Sequence, residues 1–141
     1  MYESCLAKQN ELKKLFVHCK TKEERYQQII QLGKELPSLP DPYKTEENRV
    51  RGCQSQMYLY TNSSEGKIVF QGSSDALISQ GLAALLIRIY SGESPETILK
   101  CPPNFLEELG IPASLSPNRA NGLYSLHLRM KQEALKRLVA Q

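Results

Sequence analysis

The chain has 141 residues, 40% hydrophobic and 23% charged, with 18 basic against 15 acidic side chains and a net charge of +3. One domain over residues 1–141 fits that length, and it can bury a core without disulfide or metal staples. The charge surplus is too small and too dispersed for a nucleic-acid surface, and no apolar run reaches bilayer-spanning length. The first fourteen residues lack the layout of a signal peptide, so a cytoplasmic location is expected, with neither nucleic acid nor membrane as partner.

In chain order, Leu12, Leu15, Phe16 and Cys19 recur at helical spacing and predict a first amphipathic helix. A second is expected from Thr21 as N-cap with Glu24 three residues on. It carries Tyr26, Ile29, Ile30, Gly33 and Leu36 on one stripe, and Pro37 and Pro40 stop it. A polar connection follows to Asn48. Two alternating runs around Met57–Tyr60 and Ile68–Gln71 predict a hairpin whose loop is Asn62–Gly66, and a further short strand is expected near Arg49–Arg51. Ser73, Ser74 and Asp75 supply N-cap oxygens and an acidic first turn for a helix over Ala76–Tyr90. That helix is apolar nearly all round and so central, and Gly81 within it marks close backbone packing. Short helical turns are expected at Pro95–Lys100 and Asn104–Leu109. Ser116 and Pro117 then open a last helix through Leu123, Leu126, Met130, Ala134 and Leu138. The sum is an α+β fold, a small antiparallel sheet with helices packed on one face.

Four cysteines, Cys5, Cys19, Cys53 and Cys101, form no Cys-x-x-Cys pair and no zinc spacing with His18 or His127. Free thiols are therefore expected. Cys19 reads as core, Cys5 as part of a frayed terminus, and Cys101 as a connection residue beside Lys100. Cys53 differs. It follows Gly52, which permits a tight exposing turn, and Arg49 and Arg51 stand close enough in sequence to favour its thiolate if directed at the sulfur. Thiolate is the attacking species in sulfur exchange.

The stretch Glu47-Asn-Arg-Val-Arg-Gly-Cys-Gln-Ser-Gln56 resembles the active-cysteine segment of the SufE family, which includes CsdE. Gly72-Ser-Ser-Asp-Ala76 with Gly81-Leu82, Leu115-Ser-Pro-Asn-Arg-Ala-Asn-Gly-Leu123, and Ile30-Gln-Leu-Gly33 with Leu36-Pro-Ser-Leu-Pro40 are similar to further family segments, in the same order. Tyr58, Ser73 and Ser114 stand where the family usually has tryptophan, aspartate and often histidine. The resemblance implies a fold like that of the IscU scaffold and a protein that accepts sulfane sulfur on Cys53 from a SufS- or CsdA-type cysteine desulfurase, stimulates that enzyme, and hands the sulfur to a SufBCD-type iron–sulfur scaffold. It places Asp75 and Arg119 near the cysteine loop and the partner surface, with Arg51, Gly52 and Gln54 as supporting positions. No cofactor and no metal are expected in the chain itself, since the pyridoxal phosphate belongs to the desulfurase. The expected agent is a persulfide carrier acting with a desulfurase rather than a stand-alone enzyme. Three rivals stand beside it: a Cys–His hydrolase or transferase, an IscU-like cluster scaffold, and a non-catalytic adaptor.

Overall fold

Fourteen residues with only three polar side chains among them, Leu77–Tyr90, form the helix around which the rest is built. A computed structural model describes residues 2–140. Its helices are α1 (Glu3–Phe16), α2 (Lys22–Lys34), α3 (Leu77–Tyr90), α4 (Pro95–Lys100), α5 (Asn104–Glu108) and α6 (Pro117–Val139). Two strands, β1 (Met57–Ser64) and β2 (Lys67–Ser74), lie between α2 and α3. They pair antiparallel with Met57 opposite Ser74 and Ser64 opposite Lys67. The hairpin is tighter than expected: its turn is Glu65-Gly66, both at positive φ (54° and 78°), the backbone that matches the right-handed twist of the two strands. Met57, Leu59, Ile68 and Phe70 face the core, as their alternation requires. The expected strand near Arg49 reduces to a single bridge between Arg49 and Tyr58, because the chain turns away at Gly52 after one pairing.

Helix α3 lies against β2, α1, α2 and α6, and Leu82, Leu85, Leu86 and Ile89 on it are fully buried. Gly81 meets α2 backbone to backbone. A methyl group there would lie 2.1 Å from the Ile29 carbonyl oxygen, and one on Gly33 would lie 2.6 Å from the Gly81 nitrogen. The α2 start is the expected capping box, with Thr21 Oγ1 accepting from the Glu24 N–H and the Glu24 carboxylate accepting from the Thr21 N–H. Ser116 caps α6 by accepting from the Arg119 N–H.

Three further expectations need correction. Helix α1 ends at Phe16, and its buried face is Cys5, Gln9, Leu12 and Phe16 rather than a stripe ending at Cys19. Cys5 is fully buried, not frayed. Gln9 donates to Pro102 O and accepts from the Phe105 N–H, clipping α1 to the α4–α5 connection. Helix α3 in turn takes no side-chain cap from Ser73, Ser74 or Asp75. Asp75 is drawn instead to the chain leaving the cysteine loop. Among the described residues no helix is long and apolar enough to cross a membrane.

Candidate functional site

The Cys53 loop is pinned at its base and open at its tip. The Val50 N–H donates to Met57 O (2.8 Å), and the Leu59 N–H to Asn48 O (2.8 Å), so residues 51–56 bulge from the end of β1. Gly52 turns at φ 88°, and a Cβ there would lie 2.4 Å from Ser125 Oγ on α6. The positive φ favours glycine, and a side chain there would also push the Ser125 hydroxyl aside. That turn carries Cys53 inward. Its sulfur lies 3.6 Å from Gly122 O, half-buried, at the wall of a cavity of about 10 Å³. Met57, Leu82 and Leu126 form the apolar side of this cavity, and Ser79, Asn118 and Arg119 its polar side. A space of that size is about the least that admits one water-sized group.

Burial pushes the Cys53 thiol up from its ordinary value, and no cation acts against it. The expected activation by Arg49 or Arg51 is therefore absent in this conformation. Arg49 pairs weakly with Glu46 (3.8 Å), and Arg51 lines a separate groove with Leu128 and Arg129. The turn at Gly52 sends the arginines and the cysteine to opposite sides of the loop. At neutral pH the sheltered sulfur is a thiol, the unreactive form.

Of the other sequence-predicted residues, Gln54 is exposed at the tip and lines the cavity mouth. Asp75 accepts from the Gln56 N–H (2.9 Å) while its own N–H donates to Gln56 O (3.3 Å), fastening the loop's exit to the start of α3. Arg119, one turn into α6, donates through Nη1 to Ser79 Oγ (3.0 Å). Ser55 Oγ donates to the same Ser79 Oγ (3.0 Å). Cys53, Gln54 and Arg119 thus share one cavity, Asp75 and Gly52 brace the loop, and Arg51 stands apart.

Sequence reasoning missed three participants. Ser79 is 6% exposed; a buried serine in a helix apolar nearly all round must find partners, and that was the available signal. Arg129 donates to Glu47 O (2.7 Å) and Arg49 O (2.9 Å), mooring the segment that enters the loop. Its third anchor is Glu133, at i+4 on the same helix (3.0 Å), a spacing legible as an ion pair. Burial alone would raise the Glu133 carboxyl, but hydrogen bonds from Arg129 and Arg137 overcome this and hold it below the usual range.

The remaining cysteines sit elsewhere. Cys5 and Cys101 are buried together around the Gln9 amide, and burial pushes Cys5 up to about 12. Cys19 lies 3.8 Å from His18 Nε2 in the turn after α1, where it donates to Glu24 O. His18 thus lies past the helix on which it was expected. Burial lowers His127 to about 4; its ring stacks on Tyr90 and it does not line the Cys53 cavity. Among the described residues no three His, Cys, Asp or Glu side chains are grouped to hold a metal ion.

Comparison with known proteins places this geometry. The family model for the SufE Fe-S metabolism associated domain matches residues 10–134. A SufE-like protein of Synechocystis is 39% identical over 112 residues, covering 79% of this chain and 70% of that one. The sulfur acceptor protein CsdE of Escherichia coli is 39% identical over 106 residues, 74% of this chain and 72% of its own. The cysteine desulfuration protein SufE of Plasmodium falciparum is 39% identical over 110 residues, 74% of this chain and 44% of its own. The solution structure of a hypothetical protein from Thermus thermophilus superposes with a TM-score of 0.75 at 28% identity, over 94% of this chain and 96% of that one. The matched span takes in every residue around the Cys53 cavity, and on that extent the chain belongs to the SufE family.

Proposed function

We propose that this protein receives sulfane sulfur from a cysteine desulfurase as a persulfide on Cys53 and passes it to a thiol of an iron–sulfur cluster assembly scaffold. The observation that carries the reading is the position of Cys53 beside a cavity of about 10 Å³ on a loop with an open tip. Such a space is of the order of one added heavy atom, which is what persulfidation adds. Two relatives bear names that speak of sulfur acceptance and cysteine desulfuration.

The transfer conserves sulfur and electrons. The Cys53 thiolate attacks the outer sulfur of the donor's Cys–S–SH, a new S–S bond forms, and the donor's S–S bond breaks with its electron pair leaving on the donor thiolate. Cys53 then holds Cys–S–SH until an acceptor thiolate repeats the attack on the same outer sulfur. Rates follow thiolate fraction, leaving-group acidity and access. The sheltered thiol has little of the first and the third, so the loop must move outward for uptake, and a persulfide drawn back into the cavity is kept from other thiols. The pyridoxal phosphate that liberates sulfur belongs to the desulfurase. Arg119, on the polar wall, is the cation available to steady the persulfide anion. A resident cluster is disfavoured, because iron–sulfur centres are normally held by several thiolates, whereas Cys5 and Cys101 are in the core and Cys19 is at the turn after α1.

Intact-protein mass spectrometry after incubation with a cysteine desulfurase and cysteine tests this. The expected result is a gain of one sulfur that dithiothreitol removes and that Cys53→Ser abolishes. Unchanged mass on the wild type beside an active donor would favour the adaptor reading.

A further inference from the structure

One hydroxyl joins three elements of the site. Ser79 Oγ lies 3.0 Å from Ser55 Oγ, two residues past Cys53, and 3.0 Å from Arg119 Nη1 on α6. Ser79 itself sits in the first turn of α3, the most buried helix, so its oxygen is a fixed point. The other side-chain bonds reaching residues 52–55 are longer: Ser125 Oγ to Gly52 O is 3.4 Å and Cys53 Sγ to Gly122 O is 3.6 Å. The Ser55–Ser79 bond is therefore the best-formed of these ties on the tip of the loop, and Arg119 completes it from the far side.

We propose that Ser79 is a positioning residue that latches the cysteine loop: bonded to Ser55 and to Arg119, it holds Cys53 in the sheltered position, and transfer of Arg119 to an anionic group on the sulfur donor weakens that hold. Among the described residues the Arg119 guanidinium has no carboxylate partner, and its side-chain bond is to a neutral hydroxyl. Ser79 accepts one N–H of the guanidinium and carries no charge, whereas a carboxylate carries the opposite charge and can accept two parallel N–H bonds at once. A carboxylate on a docking partner outcompetes Ser79 for the guanidinium. Once Arg119 swings away, the latch keeps only the Ser55 bond. The donor's own surface thus loosens the loop it must reach, and an unpartnered protein keeps its thiol sheltered. The inference takes Cys53 as the sulfur acceptor, yet its test does not depend on sulfur transfer.

The test is the rate of Cys53 alkylation by iodoacetamide, followed by peptide mass spectrometry with Cys19 as internal control, in wild type, Ser79→Ala, Ser55→Ala and the double variant. Alanine is the best helix former, so Ser79→Ala keeps α3. Loss of one hydrogen bond of ordinary net strength raises the open fraction roughly five-fold. Alkylation of Cys53 is expected to quicken about that much in each single variant. The double variant should exceed Ser79→Ala little, since both changes remove the same bond. Cys19 should be unchanged. An unaltered Cys53 rate in Ser79→Ala, or an equal rise at Cys19 from general loosening, would overturn the latch. If alkylation responds as expected while the wild type takes no sulfur from an active desulfurase, the latch stands and the sulfur-acceptor reading falls.

Discussion

The mooring of the cysteine loop by Arg129 depends on one carboxylate, and replacing Glu133 by glutamine isolates that dependence. Glu133 is 7% exposed and contacts Arg129, Arg137 and Lys136 at 3.0, 2.9 and 3.4 Å. Glutamine keeps the shape and removes the charge. Breaking a fully buried pair costs about 3–5 kcal/mol, and exposed pairs contribute about 1 kcal/mol or less. Arg129 and Arg137 retain 19% and 27% side-chain exposure, so the cost falls between these limits, at about 2 kcal/mol. For a chain of this length that lowers the melting temperature by roughly 8 °C. The pH dependence follows from the sign of the shift. The folded-state pKa of Glu133 lies below its ordinary value, so the carboxylate contributes stability that is fully present above an unfolded-state pKa of about 4.3 and is lost as pH falls through the lower folded value. Urea unfolding of wild type and Glu133→Gln should differ by the full amount at pH 7, and the two curves should converge as acid protonates the wild-type carboxyl. A gap that is absent at pH 7, or that persists undiminished below the folded pKa, refutes the argument.

Two further outcomes are expected. Gly81→Ala places a methyl group 2.1 Å from the Ile29 carbonyl oxygen. Overpacking of about 3 kcal/mol, less about 1 kcal/mol of gained helix propensity, leaves a net loss of about 2 kcal/mol, measurable as a lower urea midpoint. In the isolated protein the alkylation rate of Cys53 should rise with pH through a midpoint above the ordinary thiol value of about 8.5, since burial disfavours its thiolate; a midpoint below that value would mean that a cation reaches the sulfur at rest.

What was legible in the sequence is what local chemistry decides. Thr21 and Glu24 cap each other three residues apart, and the alternation of Met57, Leu59, Ile68 and Phe70 sets the hairpin's inner face; both follow from near neighbours. Gly81 could be read as a close contact because a glycine inside an apolar helix has little other use, although nothing in the sequence says that Gly33 is its counterpart. Cys53 was legible through its motif and through Gly52. Its environment was not. Arg51 is close by in sequence yet lines another groove, because one positive-φ residue reverses the direction in which neighbouring side chains leave the loop. Asp75 satisfies every local rule for a helix cap, but the Gln56 N–H, nineteen residues away, binds its carboxylate instead. Cys5 belongs to the core only because Cys101 and Phe105 close over the first helix. The Asp75 and Cys5 misses concern partners distant along the chain, which local propensity cannot rank.

The grip of Arg129 on Glu47 O and Arg49 O separates where the loop is held from what the loop displays. Carbonyl oxygens are present at every position whatever the side chain, proline included. Substitutions at 47 and 49 that leave the backbone path intact keep both bonds, so the face entering the cysteine loop can exchange one set of side chains for another without moving the sulfur. Surface identity and sulfur placement are therefore free to change independently.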